Sequence, residues 1–272
     1  MISFLEAFGL ILLVAVLAGS ATGLLGVFVV GLRVPFLAVC IAHCALAAAV
    51  FGKLAELPPQ LSGFAGACVG GLALGWFLHK RNLEPNAAIG TLFSLTMGLA
   101  FIGIGLQQGA KSGTLGLLWG SVLFVTWEHA IFMAIILSVI IAFLIVFCKE
   151  LKLLLFSREL AAALTREALV YTGLLVLISG VIAVNIDIVG GLLIYSLICN
   201  PAVAALCISR SFRGSLAWSC AFGIVSATGG FMVAYWFDFP VGACIVLVSG
   251  AIAGIAAFAG SSTTGLQSQH AM

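Results

Sequence analysis

Long apolar runs broken by short polar turns fill the chain from end to end. A bilayer crossing takes about 20 apolar residues as a helix, fewer where the bilayer thins. Nine runs approach that length, roughly 7–30, 35–52, 61–79, 87–107, 129–148, 168–184, 188–208, 215–236 and 240–259. The second is short. The sixth and seventh meet at Asn185-Ile186-Asp187, and one span plus a re-entrant segment is the alternative reading there, which would leave eight spans. A further apolar stretch, Thr114 to Val125, reads as an interfacial or half-inserted helix. The pattern predicts an all-α fold, a polytopic transmembrane helical bundle over residues 1–260. The polar tail 261–272 is expected to be disordered.

Composition supports a lipid solvent. Hydrophobic residues make up 63% of the 272 and charged residues 7%, whereas a soluble domain carries about 25% charge. The net charge of +2 is too small for a nucleic-acid surface. The eight cysteines lie scattered in apolar runs and read as small buried apolar groups, not as a disulfide framework. The first run lacks a basic lead and is too long for a cleavable signal. Among the 32 glycines, the pairs Gly19/Gly23, Gly66/Gly70, Gly71/Gly75, Gly116/Gly120 and Gly250/Gly254 have the spacing that lets helix backbones approach closely in lipid.

Charge gives the runs a direction. With the N-terminus outside and nine crossings, the inner loops hold Arg33, Lys80, Arg81, Lys149, Lys152, Arg158, Arg166, Arg210 and Arg213. The outer loops hold only Lys53 and Lys111, which together with those nine account for all eleven Lys and Arg. The positive-inside rule favours this threading, with the C-terminus cytoplasmic. The longest inner loop runs from Lys149 to Arg166. Ser157 is placed to cap a short helix with Glu159 in its first turn, and Thr165 to cap the following span with Glu167 in its first turn. A short helix on the cytoplasmic membrane surface is either a docking element or a spacer.

His43 is the titratable residue to examine inside a span, because burying one in lipid is costly and such groups face a cavity or the bundle interior. Cys40 stands three residues before it on the same helix face and Cys44 follows it. Imidazole and thiolate suit borderline and soft cations such as Zn²⁺. One helix cannot complete a coordination sphere. Asn200, beside Pro201, and Asp187 are further candidates from other spans. Glu128 and His129 mark the outer end of the fifth run. No Gly-rich phosphate loop with a following Lys-Ser/Thr is present, so the chain does not hydrolyse ATP itself.

Several blocks together resemble the membrane permeases of zinc, manganese and iron ABC importers. They are Gly23–Val30 with Arg33, Phe36–Leu46, Glu84–Ser94, Leu155–Ala161, Val189–Ala205 and Phe237–Leu247, in family order from about residue 10 to 255. The resemblance implies a type II-like importer permease in a bacterial or archaeal cytoplasmic membrane. It implies a homodimer of permeases, a cytoplasmic ABC ATPase dimer and an extracytoplasmic metal-binding protein. It also implies a transported divalent metal ion as cargo, with no intrinsic cofactor and ATP entering through the partner. The loop Phe156, Ser157, Arg158, Glu159, Leu160 and Ala161 matches the family's ATPase-coupling helix. In the family an Asp stands four residues before the His; here that position is Val39, and the small polar residue just before the His is Ala42. Three other readings remain. One is an importer of a metal chelate or other small molecule. Another is an ATP-independent carrier, which the lack of an acidic coupling site within the spans disfavours. The third is an intramembrane hydrolase using Ser121 near Gly120 with His129.

Overall fold

The computed structural model describes the backbone of residues 2–80, 84–107, 125–189 and 194–268, and the side chains of 8–77, 84–107, 125–186 and 194–259. Regular structure among these residues is α-helical throughout. The order is α1 (Ile2–Gly31), α2 (Leu37–Leu54), α3 (Pro59–Lys80), α4 (Pro85–Leu106), α5 (Trp127–Val146), α6 (Cys148–Phe156), α7 (Arg158–Leu164), α8 (Glu167–Val189), α9 (Ile194–Ile208), α10 (Phe212–Phe237) and α11 (Val241–Ser268). Eight of them are long and apolar enough to cross a membrane, and α9, at 15 residues, is the shorter apolar one. Helices suit this setting because each satisfies its own backbone where no water can.

Two features differ from the sequence expectation. Asn185-Ile186-Asp187 does not separate two spans, since α8 runs through it to Val189. Asn185 stays helical because its Nδ2 donates to the Val181 carbonyl one turn back, at 2.8 Å. The polar side chain is thereby partly satisfied inside its own helix. Likewise α11 continues to Ser268, past the start of the expected disordered tail. A formed span supplies the nucleus from which a helix propagates, and no Pro interrupts it. The stretch Thr114–Val125 lies largely outside the described residues.

The chain divides into two compact units. One contains α1 together with Ser196–Met272, hence nearly all of α9 with α10 and α11. Here α1 packs along α10 with almost nothing between the backbones. A Cβ on Gly19 would strike the Gly223 carbonyl, and one on Gly23 the Ser219 carbonyl. The Ser219 hydroxyl donates to the Gly23 carbonyl at 2.6 Å. The spacing of Gly19 and Gly23 did mark a close approach, whereas a Cβ on Gly254 would meet nothing within 4 Å.

The other unit, Leu32–Tyr195, holds α2 to α8. Its centre is α3, which is glycine-lined on two sides. Gly66 and Gly70 face Ala48 and Cys44 of α2, while Gly71 and Gly75 face Ser179 and Thr172 of α8. On its other flank α2 joins α4 through an apolar cluster of Leu46, Ala47, Val50, Ala100 and Ile104. Glu84 begins α4 by accepting the Ala87 N–H at 2.7 Å, and those backbone donors hold its carboxyl below the usual range. Many large apolar side chains on α4 and α5 stay exposed, among them Phe101, Ile102, Ile135 and Ile145, as lipid-facing positions should.

Candidate metal path and coupling loop

His43 lies in the middle of α2 and is 3% exposed. Its Nδ1 sits 2.9 Å from the Val39 carbonyl, one turn back on the same helix. A carbonyl only accepts, so Nδ1 carries the proton and donates, and Nε2 keeps the lone pair. The ring meets Phe93 of α4 edge to face, with centroids 4.8 Å apart. Backbone and aromatic contacts thus fix both the tautomer and the plane of the imidazole. Histidines that ligate metals are commonly held in this way, leaving the other nitrogen free to accept. The position where the resembled family keeps an acid supplies here a backbone oxygen.

The neighbouring thiols are arranged differently. Cys40 and Cys44, one turn apart and both buried, lie within reach of each other, and Cys44 also reaches the Thr96 hydroxyl. Cys44 packs into the gap left by Gly70 of α3, where a Cβ would come 2.7 Å from its sulfur. Among the described residues, no three His, Cys, Asp or Glu form a group that could hold a metal ion. Asn200 is in the other unit and donates from Nδ2 to the Ser249 hydroxyl at 3.0 Å, tying α9 to α11. Asp187 lies on α8, and its side chain is outside the described residues.

Asn185, at the expected junction of the sixth and seventh runs, is fully buried against Met133 of α5. Its Oδ1 has no hydrogen-bond partner. At the start of α5, His129 Nδ1 pairs with the Thr126 hydroxyl at 2.8 Å and closes a capping box. Glu128 and His129 line a cavity of about 330 Å³ with Gln60, Phe64 and Phe132. Ser121, the nucleophile of the hydrolase reading, is outside the described residues.

The loop after α5 forms two helices, α6 and α7. Ser157 caps α7 as its sequence suggests, accepting the Leu160 N–H at 3.3 Å. Thr165 does not cap α8. Its hydroxyl turns back and donates to the Ala161 carbonyl at 2.7 Å, because a β-branched hydroxyl readily bonds one turn back. Glu167 is in the first turn of α8 as expected, but it is only 5% exposed and accepts from Arg158 Nε at 2.7 Å. The Arg158 guanidinium lies 4.5 Å over the ring of Tyr171. That pairing was missed, although an Arg opening one helix and a Glu opening the next across a two-residue turn was a readable signal. Outward, Phe156, Leu160 and Leu164 are exposed, Phe156 at 83%, while Ala161 is fully buried.

Residues 5–260 match the family described as the ABC 3 transport family. Among curated relatives, a probable iron transport system membrane protein of Haemophilus influenzae is 29% identical over 78% of this chain and 78% of its own length. The high-affinity zinc uptake system membrane protein ZnuB of the same organism is 23% identical over 88% of this chain and 92% of its own. Among solved structures, PsaBC from Streptococcus pneumoniae in complex with Fab aligns with a TM-score of 0.81 at 22% identity, over 94% of this chain and 93% of that one. The likeness to it is one of fold.

Proposed function

The chain belongs to the ABC 3 transport family and is the membrane permease of an ABC importer, and we propose that its cargo is a divalent transition-metal ion that passes His43. The observation that carries the choice of residue is a fully buried imidazole with Nδ1 anchored to Val39. A titratable group held in that way inside a span is costly unless it works. One Nε2 per chain is a weak site, which suits a path that must release its ion. Water, backbone oxygen or a second copy of the chain completes the sphere. Cys40 and Cys44 serve packing against Thr96 and Gly70, and Asn200 serves the α9–α11 contact. The relatives' iron and zinc names support the ion class.

In this reading the permease works as a homodimer in the cytoplasmic membrane, with the N-terminus outside and the C-terminus inside. It crosses nine times, α9 being the short crossing. An extracytoplasmic metal-binding protein delivers the ion. A cytoplasmic ATPase dimer docks on Phe156, Leu160 and Leu164 and supplies the hydrolysis that this chain lacks.

The test is elemental analysis of cells expressing the full complex, with His43→Ala beside wild type. Wild-type cells should accumulate one of zinc, manganese or iron, and His43→Ala should lower uptake at least about tenfold, since losing even a group that orients a ligand costs about 10–100-fold. Normal uptake by His43→Ala would remove the role given to His43. Accumulation of a chelate and of no free ion would replace the cargo.

A further inference from the structure

We propose that the Arg158–Glu167 pair is the joint that carries movement of α7 into α8, and through the glycine faces of α3 to the helix holding His43. The proposal rests on the reading of α7 as the helix on which the ATPase docks.

Only Thr165 and Arg166 separate α7 from α8. Two residues alone form a hinge. The pair closes that hinge with a 2.7 Å contact between the first residue of α7 and the first of α8. Glu167 is 5% exposed and Arg158 34%, so the contact is shielded from the screening that makes surface pairs weak. The carboxylate also lies in the first turn of α8, where the macrodipole favours an anion. Stacking over Tyr171, one turn further along α8, holds the guanidinium in place. The Thr165 hydroxyl bonds back to the Ala161 carbonyl, within α7.

Beyond the joint, the helices are in close contact. On α8, Thr172 and Leu175 lie against α3, where a Cβ on Gly75 would come 3.0 Å from Thr172 Oγ1 and one on Gly71 3.2 Å from the Leu175 carbonyl. On the opposite side of α3, a Cβ on Gly66 would come 2.8 Å from the Cys44 carbonyl and one on Gly63 3.3 Å from the Ala45 carbonyl. Short side chains and carbonyls of α8 and α2 rest directly on the glycine faces of α3, and close-packed interiors transmit displacement. Cys44 is the residue after His43. A shift of α7 held to α8 therefore reaches the imidazole; a shift of α7 with the joint cut swings about Thr165-Arg166.

The experiment uses the complete complex with its ATPase subunit in proteoliposomes, and reads assembly, ATP hydrolysis and ions moved per ATP. Glu167→Gln keeps length and removes charge. It should assemble and hydrolyse as wild type while ions per ATP fall at least about fivefold, the lower end of measured coupling effects. Arg158→Lys keeps the charge but loses the Nε donor and the stacking, and should fall between. Wild-type ions per ATP in Glu167→Gln would overturn the joint. A parallel loss of assembly, hydrolysis and uptake in both Glu167→Gln and Arg158→Gln, the latter at the more exposed end, would also overturn it by showing a merely structural pair. A wild-type complex that moves no metal ion would instead overturn the permease reading beneath it.

Discussion

His43 is oriented by a backbone oxygen where a side-chain carboxylate is the alternative the helix geometry offers. Residue 39 lies one turn before it on the same face, and Val39 is half-buried. A carboxylate placed there would add a harder ligand beside the imidazole, and harder oxygen donors favour Mn²⁺ relative to Zn²⁺. Val39→Asp should therefore shift the ion preference toward manganese by about tenfold or more, in keeping with the effect of groups next to a metal ligand. Competitive uptake of the two ions by the intact complex measures it, and an unchanged ratio would show that this turn of α2 does not line the path. His43 was legible in the sequence because an ionisable group in an apolar run stands out. For Cys40 and Cys44 the sequence offered both packing and ligation, since a thiol behaves as an apolar group or a ligand with the same letters around it. The burial of Glu167 was hidden for a related reason. An acid just before a span reads as a solvated end until its partner, nine residues earlier and across another helix, is known.

At the scale of helices the long apolar runs announced themselves, and their ends shifted where a side chain could satisfy itself locally, as Asn185 does within α8. Glycine spacing was informative about which faces are small and silent about what meets them. Gly19 and Gly23 meet a partner backbone on α10, while Gly254, at the same spacing from Gly250, faces open space. That contrast is testable. A Cβ on Gly223 would strike the Gly19 carbonyl, and neither backbone can retreat without parting α1 from α10 along their length. Gly223→Ala should cost about 1–3 kcal/mol, as overpacking does. Gly254→Ala should stay within about 0.5 kcal/mol of wild type. Thermal unfolding of the detergent-solubilised chain compares the two, and equal transition temperatures would contradict the backbone contact.

At the scale of the whole molecule, two groups of exposed apolar side chains among the described residues differ in their surroundings. Those on α4, α5 and α10 belong to helices long enough to cross the bilayer, where lipid can cover them. Phe156, Leu160 and Leu164 do not, because α6 and α7 are too short to span and carry Lys149, Lys152, Arg158 and Glu159 among them. An apolar ridge among charges marks a protein or membrane contact, and under the proposed function the ATPase is what covers it. Leu164 is 69% exposed, so a change there disturbs few internal contacts. Leu164→Glu should leave thermal stability unchanged and abolish co-purification of the ATPase subunit, with the loss of about 2 kcal/mol or more expected at the centre of an interface. An intact complex would place the ATPase elsewhere on the cytoplasmic face. The outcome also separates two failures that both end transport. Leu164→Glu removes the partner, so hydrolysis by the complex disappears with uptake. Glu167→Gln leaves the partner seated and hydrolysing while the ion stays behind, since the helix it grips is no longer held to α8.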